Sequence, residues 1–228
     1  MVPAAQGTYY RRIWRNGGDH PPLCEGVDQP SYNRCGRSVV ALCSELERVF
    51  QFIEPGTHHD NVYGPSLQRL LFVACSEVET AWSGILHANG YPTSGRWTTN
   101  DYVKIESATG LSDYSVKLVD VADYPLIYPF RGWTASSPTT SLSWYDAYNK
   151  VKHDNERNAH HATLKNVVDA CAAVYVLAIG QFGQNPFLPG DRFGQRVLFI
   201  EGVYNYHEAD VYHGVSGGGS WTPVNYPF

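Results

Sequence analysis

A chain of 228 residues with 43% apolar and 17% charged residues is globular rather than disordered. It is long enough for one sizeable core with appendages and tight for two full domains. A net charge of −5 and a pI near 6.0 exclude a global basic field that would gather nucleic acid, so any such site has to be a local patch.

Residues 1–35 carry proline, glycine and aromatic residues without a period and read as an irregular arm, anchored on the body by its tyrosines and Trp14. The opening "MVPAAQGTYYRRIWRNGG" has no apolar run of signal-peptide length, and no stretch reaches 18 apolar residues. A cytoplasmic location away from membranes is the expectation. Over residues 36–53, Val39, Leu42, Leu46, Val49 and Ile53 recur at helical spacing, until Pro55 and Gly56 break the pattern. Asp60 or Asn61 is a plausible cap for the next helix. Residues 66–89 form the clearest helix, with Leu67, Leu71, Ala74, Val78, Ala81 and Ile85 in one stripe and Asn89-Gly90 as its stop. Glu77 lies at the margin of that stripe and should meet a cation or a backbone donor from another helix, whereas Glu79 points well away.

Residues 90–141 read as an insertion. "TTNDYVKIESATG" predicts a short helix capped between Thr98 and Asn100, and Val116, Leu118 and Val121 alternate as a short strand pair or extended crossing. Ser141 or Ser143 should cap a helix running through His153. A second long stripe, Leu164, Val167, Cys171, Val174, Tyr175 and Ala178, stops at Gly180 or Gly183. Residues 184–228 are an extension with a strand at 195–203. The expected fold is mostly α, an antiparallel bundle of about four core helices over 36–183 with short β segments and irregular N- and C-terminal decoration. The five cysteines, Cys24, Cys35, Cys43, Cys75 and Cys171, include no C-x-x-C pair. Neither a disulfide framework nor a zinc knuckle is expected, and Cys75 and Cys171 should serve as small hydrophobes.

Between the last two helices lies "YDAYNKVKHDNERNAHHATLKN", residues 145–166, dense in titratable groups. On a helix ending at His153, Asp146, Asn149 and His153 share a face, with Lys152 on its flank. If the next helix starts between 155 and 161, Arg157, His160 and His161 sit at its N-terminus, where free N–H groups favour a phosphate. Such a set suits phosphodiester cleavage without a metal or other cofactor. One histidine takes a proton from a ribose 2′-hydroxyl, another group protonates the leaving oxygen, and a lysine or arginine neutralises the phosphorane. A metal set from His153, Asp154, Glu156, His160 and His161 lacks a recognised spacing, and "HHD" at 58–60 reads as surface loop. The competing structural reading is a solvated charged face with capping histidines. There is no G-x-S-x-G, no P-loop and no G-x-G-x-x-G after a strand.

"YNKVKH" followed by an apolar helix resembles the HEPN superfamily (higher eukaryotes and prokaryotes nucleotide-binding), whose bacterial members occur in defence and stress settings. The resemblance covers roughly residues 36–183. It implies a homodimer with paired sites, RNA as partner, metal-independent endoribonuclease chemistry, and a polar residue from the second helix in support, the position Glu77 would fill. On this reading His153 is the general base or acid, Lys152 or Arg157 clamps the phosphate, and Asn149 orients the histidine or substrate. The superfamily's signature, an arginine four to six residues before a histidine, is absent from the junction. Its one formal match, "RNGGDH" from Arg15 to His20, lies in a Gly-Gly loop of the arm. The alternative is a non-catalytic interaction or scaffold module that offers the aromatic arm and the C-terminal β segment to a protein partner. In a scaffold, Lys152 and Arg157 would be neutralised by Glu77 or Asp154.

Overall fold

The computed structural model describes residues 1–19, 21, 28–93, 95–216 and 219–228, so His20 and Cys24 lie outside the described residues. The chain is mostly helical with a few short strands: β1 (Thr8–Tyr10), α1 (Gln29–Phe50), α2 (Pro65–Ala88), α3 (Thr99–Tyr102), α4 (Glu106–Thr109), β2 (Ser115–Leu118), α5 (Ser143–His153), α6 (Asn155–Asn158), α7 (Leu164–Phe182), β3 (Leu198–Gly202) and β4 (Thr222–Val224).

α1 begins seven residues before the apolar period does, because Pro30 stands in its first turn, where a missing N–H removes no helical bond. Its buried side, Val39, Leu42, Cys43 and Leu46, follows the period. α2 likewise opens on a proline, Pro65 after Gly64, with no side-chain cap. Asp60 goes elsewhere and accepts the Tyr124 hydroxyl at 3.1 Å. At the far end Asn89 is buried and holds three segments together. Its amide donates to the carbonyls of Arg11 and Ile85, and its carbonyl accepts from Tyr226 N, each at 2.9 Å.

α7 is apolar on nearly every side, and from Val167 to Phe182 every residue is buried; the two polar ones have partners, Asp169 accepting from Lys165 and Gln181 from Arg12. α1, α2 and α5 pack against it, the α2 contact being the most extensive. By length and composition α7 could cross a membrane, but 89% of the relevant window is buried within the protein, as in a core helix. The four described cysteines are free, and Cys43, Cys75 and Cys171 are buried.

The strands are long-range pairings. β2 runs antiparallel to β3, with Val116 opposite Ile200 and Leu118 opposite Leu198, and Val116 also bridges Ile127. The partner of 115–118 thus comes from the C-terminal extension. β1 lies parallel to β4, Thr8 opposite Thr222, and joins arm to tail. The arm and tail turn their rings inward: Tyr10, Ile13, Trp14, Tyr212 and Tyr226 belong to the same core as the helices. Tyr9, Tyr204, Trp221 and Phe228 are only partly buried against that core. Arg15 is buried with the inward rings, 5.1 Å from the Tyr10 and Tyr212 ring centroids and 5.6 Å from that of Tyr206. It donates to the carbonyls of Asp210 and Val2.

The insertion docks through an aromatic stack. Trp82 of α2 lies between Tyr102, 5.2 Å away at 29°, and Trp133, 5.0 Å away at 19°. Offset ring pairs of this kind add about 1 kcal/mol each beyond the area they bury. α3 starts at a capping box in which Asp101 accepts from Thr98 N at 2.8 Å.

Candidate functional site

α5 buries Trp144, Ala147 and Val151 against the body, and leaves Lys150, Lys152 and His153 exposed and Asn149 half-buried. Neither predicted serine caps it. Leu142 is its N-cap residue, and the Ser141 hydroxyl accepts from Thr134 N at 3.2 Å. Two tyrosines carry polar tips out from the buried side. The Tyr145 hydroxyl donates to Glu79 Oε1 at 2.8 Å, and burial first, then the Glu79 charge, pushes that hydroxyl's pKa up. Lys152 donates to the Tyr148 hydroxyl at 3.1 Å, with its ammonium 4.9 Å from the ring centroid. This hydrogen bond outweighs partial burial and holds Lys152 above the usual amine range, Glu79 reinforcing the shift and Arg96 opposing it. Lys152 is consequently a permanent cation at neutral pH, suited to holding an anion and unsuited to taking a proton.

Asn149 donates back to the Tyr145 carbonyl at 2.8 Å, leaving its own Oδ1 as an acceptor. His153 is exposed, and its side chain forms no hydrogen bond or ion pair among the described residues. Beside them Lys150 pairs with Asp146 at 2.7 Å.

The carboxylate that reaches α5 is Glu79, and Glu77 is not brought to the junction. Two residues apart on one helix, they point about 200° away from each other. The apolar stripe of α2 marks its contact with α7, and α5 docks on the flank beyond that stripe, the flank Glu79 occupies. Glu77 faces the cleft between α1 and α2, with Arg34, Cys35 and Ser38.

The helix expected from within 155–161 starts later. α7 opens at Leu164, where the Thr163 hydroxyl caps Asn166 N at 3.3 Å. Residues 155–161 form two separate turns, α6 and a 3₁₀ turn at Ala159–His161. Asp154 caps α6 by accepting from Arg157 N at 3.2 Å. Arg157, His160 and His161 therefore precede the first turn of α7, and the helix-terminus argument for a phosphate does not apply to them. Arg157 is 86% exposed, its Nε 3.7 Å from Asp154 Oδ2, a loose surface pair. The His160 and His161 rings sit 4.2 Å apart, tilted by 37°. Burial first, then His160 and Lys150, lowers the His161 pKa against the pull of Asp146, so its imidazole is neutral at neutral pH.

The 57–63 loop folds against this end of the junction. Leu164 N donates to the Val62 carbonyl at 2.8 Å, Lys165 N to that of Asp60 at 3.1 Å, and the Tyr63 ring is 6.5 Å from His160. Even so, no group of three metal-capable side chains forms among the described residues.

The outward side of α5 thus carries Asn149 and His153, with Lys152 on the flank beside Tyr148 and the Glu79–Tyr145 bond, and Arg157 beyond on a separate turn. The face is an open row, and the larger clefts run elsewhere, chiefly between α1 and α2. Sequence reasoning missed Glu79 and Arg96, and placed Lys152 near Tyr145 and Tyr148 without giving the tyrosines a role. The spacing of Tyr145, Tyr148 and Lys152, at i, i+3 and i+7, is the signal that could have flagged the tyrosines. No protein-family model matches this chain, and no curated protein and no solved structure matches it either.

Proposed function

We propose that this chain binds RNA and cleaves it by metal-independent acid–base chemistry, as an HEPN-like domain working in pairs. The observation that carries the reading is Lys152. It is an exposed ammonium that bonds to the Tyr148 hydroxyl and forms no salt bridge among the described residues, on the flank of the face that carries Asn149 and His153. A cation that only closed a charged helix face would be paired as Lys150 is with Asp146. Lys152 would hold the scissile phosphate and stabilise the phosphorane. His153 would exchange the proton with the 2′-hydroxyl or the leaving oxygen, and Asn149 Oδ1 would orient it. Glu79 fits the supporting carboxylate of the second helix better than Glu77, because it is bonded to Tyr145 beneath this face. Arg157 is a second, looser phosphate contact.

An open row needs a second wall, and the homodimer with paired sites that the resemblance implies would supply one. The four long helices fit the antiparallel bundle of that resemblance, since α1, α2 and α5 all pack on α7. A cytoplasmic setting in bacterial defence or stress belongs to the same reading. The test is incubation of wild type and His153→Ala with mixed structured and single-stranded RNAs in EDTA. The expected result is cleavage by wild type that the variant loses by at least about 100-fold, the usual share of a general acid or base. No cleavage by wild type, with both proteins equally stable, would overturn the reading.

A further inference from the structure

A cleft of about 210 Å³ lies between α1 and α2, floored by the buried Val174 of α7 and Ala81 of α2. The sequence leaves this space open by lining it with Ser31, Ser38, Thr80 and Gly84, side chains too short to meet across it. Arg12, Ser31 and Gly84 mark one end and Ser38 and Glu77 the other, because the neighbouring clefts on either side begin at those residues.

Arg12 of the arm walls off the first end. Its guanidinium lies against Gly84, where any Cβ would collide with it. It donates to the buried Gln181 Oε1 from Nε at 2.8 Å and from Nη2 at 2.5 Å, and Gln181 is itself tied to the Leu177 carbonyl at 2.8 Å. To reach this place Arg12 takes a left-handed backbone, φ 56°, which residues other than glycine adopt rarely and at a cost. The arm is thus shaped to set a cation at this end.

Arg34 and Glu77 line the cleft from opposite walls, Arg34 on α1 and Glu77 on α2. Neither side chain forms a hydrogen bond or ion pair among the described residues. Arg34 is one turn from Ser31 and one turn from Ser38, so it stands midway along the cleft. The cleft is therefore polarised, cationic from Arg12 to Arg34 and acidic at Glu77. Cys35 lies between them. Burial first pushes its thiol up to about 12, with Arg12 opposing and Glu77 reinforcing. A thiol protonated at neutral pH is lining and no nucleophile, so this cleft holds a molecule without reacting with it.

These features select the occupant. The volume falls below the roughly 300 Å³ at which sites for drug-sized ligands begin, which limits it to a smaller molecule. Arg34 calls for an anion and Glu77 for a cation. A ligand with only one charge would take water from the other group and give nothing back. The floor of Val174 and Ala81 suits an apolar group. We propose that this cleft binds a free aliphatic α-amino acid, its carboxylate on Arg34, its ammonium on Glu77 and its side chain on Val174 and Ala81. Glu77 lies about 200° round α2 from Glu79, so the site is independent of the α5 chemistry.

The test is isothermal titration calorimetry of the full chain with L-alanine, L-valine and L-leucine. Each is compared with the amine that lacks its carboxylate and the acid that lacks its ammonium, isobutylamine and isovalerate in the case of L-valine. At least one amino acid should saturate a single site per chain. Its two analogues should bind at least about tenfold more weakly, the weight of one charged hydrogen bond. Arg34→Met and Glu77→Gln should each weaken the amino acid by the same factor, with an unchanged unfolding midpoint in the ligand-free protein. Binding of none of the three, equal binding of an analogue, or full binding by either variant would each overturn the proposal. So would a midpoint lowered by each variant and no further by the two combined, which would mean that Arg34 and Glu77 serve only each other.

Discussion

Two cationic regions of this molecule invert what their sequences suggest. Arg15 opens the one formal match to the HEPN arginine–histidine spacing, yet it is fully buried in a cage of Tyr10, Tyr206 and Tyr212 and bonded to the carbonyls of Asp210 and Val2. Lys152 belongs to no formal match, yet it stands exposed, its ammonium bonded to the Tyr148 hydroxyl. The difference teaches that a spacing has chemical meaning only on an element that turns its residues to solvent. Arg15 fastens the arm to the tail and is shut off from solvent.

Arg15→Ala is the strongest way to break this comparison. It removes the centre of the cage, opens a cavity and strips two carbonyls of their donor, for a loss of about 3 to 4 kcal/mol. Urea unfolding would read it as a lower midpoint, with RNA cleavage per folded molecule unchanged. A loss below about 0.5 kcal/mol, the level of an ordinary surface change, would mean that the cage is not a fastening. Lys152→Met should do the reverse. Its midpoint should stay within about 0.5 kcal/mol of wild type, while cleavage in EDTA falls by about 100-fold. Equal cleavage by Lys152→Met and wild type would remove Lys152 from the chemistry.

Much of the helical frame was legible because periodicity is a local property. The stripes of α2 and α7 can be read residue by residue, since burial on one side, or on nearly every side for α7, follows from apolar spacing. Starts were harder to read. Pro30 and Pro65 are helix-opening residues only if the chain before them turns away, which spacing does not reveal. The β1–β4 and β2–β3 pairs join residues far apart in sequence through three to five positions, too few for a period to appear. At the candidate site, Lys152, Asn149 and His153 could be placed on α5 because they share its outer side and flank. The supporting carboxylate could not, because choosing Glu79 over Glu77 requires knowing which flank of α2 receives α5.

Glu79→Ala sharpens the contrast within α2 itself. Losing the acceptor leaves the Tyr145 hydroxyl, partly buried, without its charged partner, which should cost about 1.5 kcal/mol. Glu77→Ala, in the cleft between α1 and α2, should change stability by less than about 0.5 kcal/mol. Paired unfolding curves would show it, and equal losses would mean that the two carboxylates are not distinguished by their neighbours.

The smallest effect concerns a carboxyl that neither region uses. Glu106 Oε1 accepts from Ser112 N at 3.1 Å and from the Ser112 hydroxyl, while its buried Oε2 has no partner among the described residues. Burial raises its pKa above the ordinary glutamate value, and the Ser112 bonds pull the other way. A raised folded-state pKa means that the folded protein binds the proton more tightly than the unfolded chain does. Its stabilising contribution is complete below the unfolded value, about 4.3, and is lost as pH rises through the folded one. Glu106→Gln keeps an acceptor for Ser112 and cannot ionise. The variant should therefore gain on wild type as pH climbs from about 4.3 through the raised value, with a constant difference above it. Urea midpoints from pH 4 to 8 would trace that gain, and a difference that stayed flat across the window would mean that Glu106 ionises as it would in water.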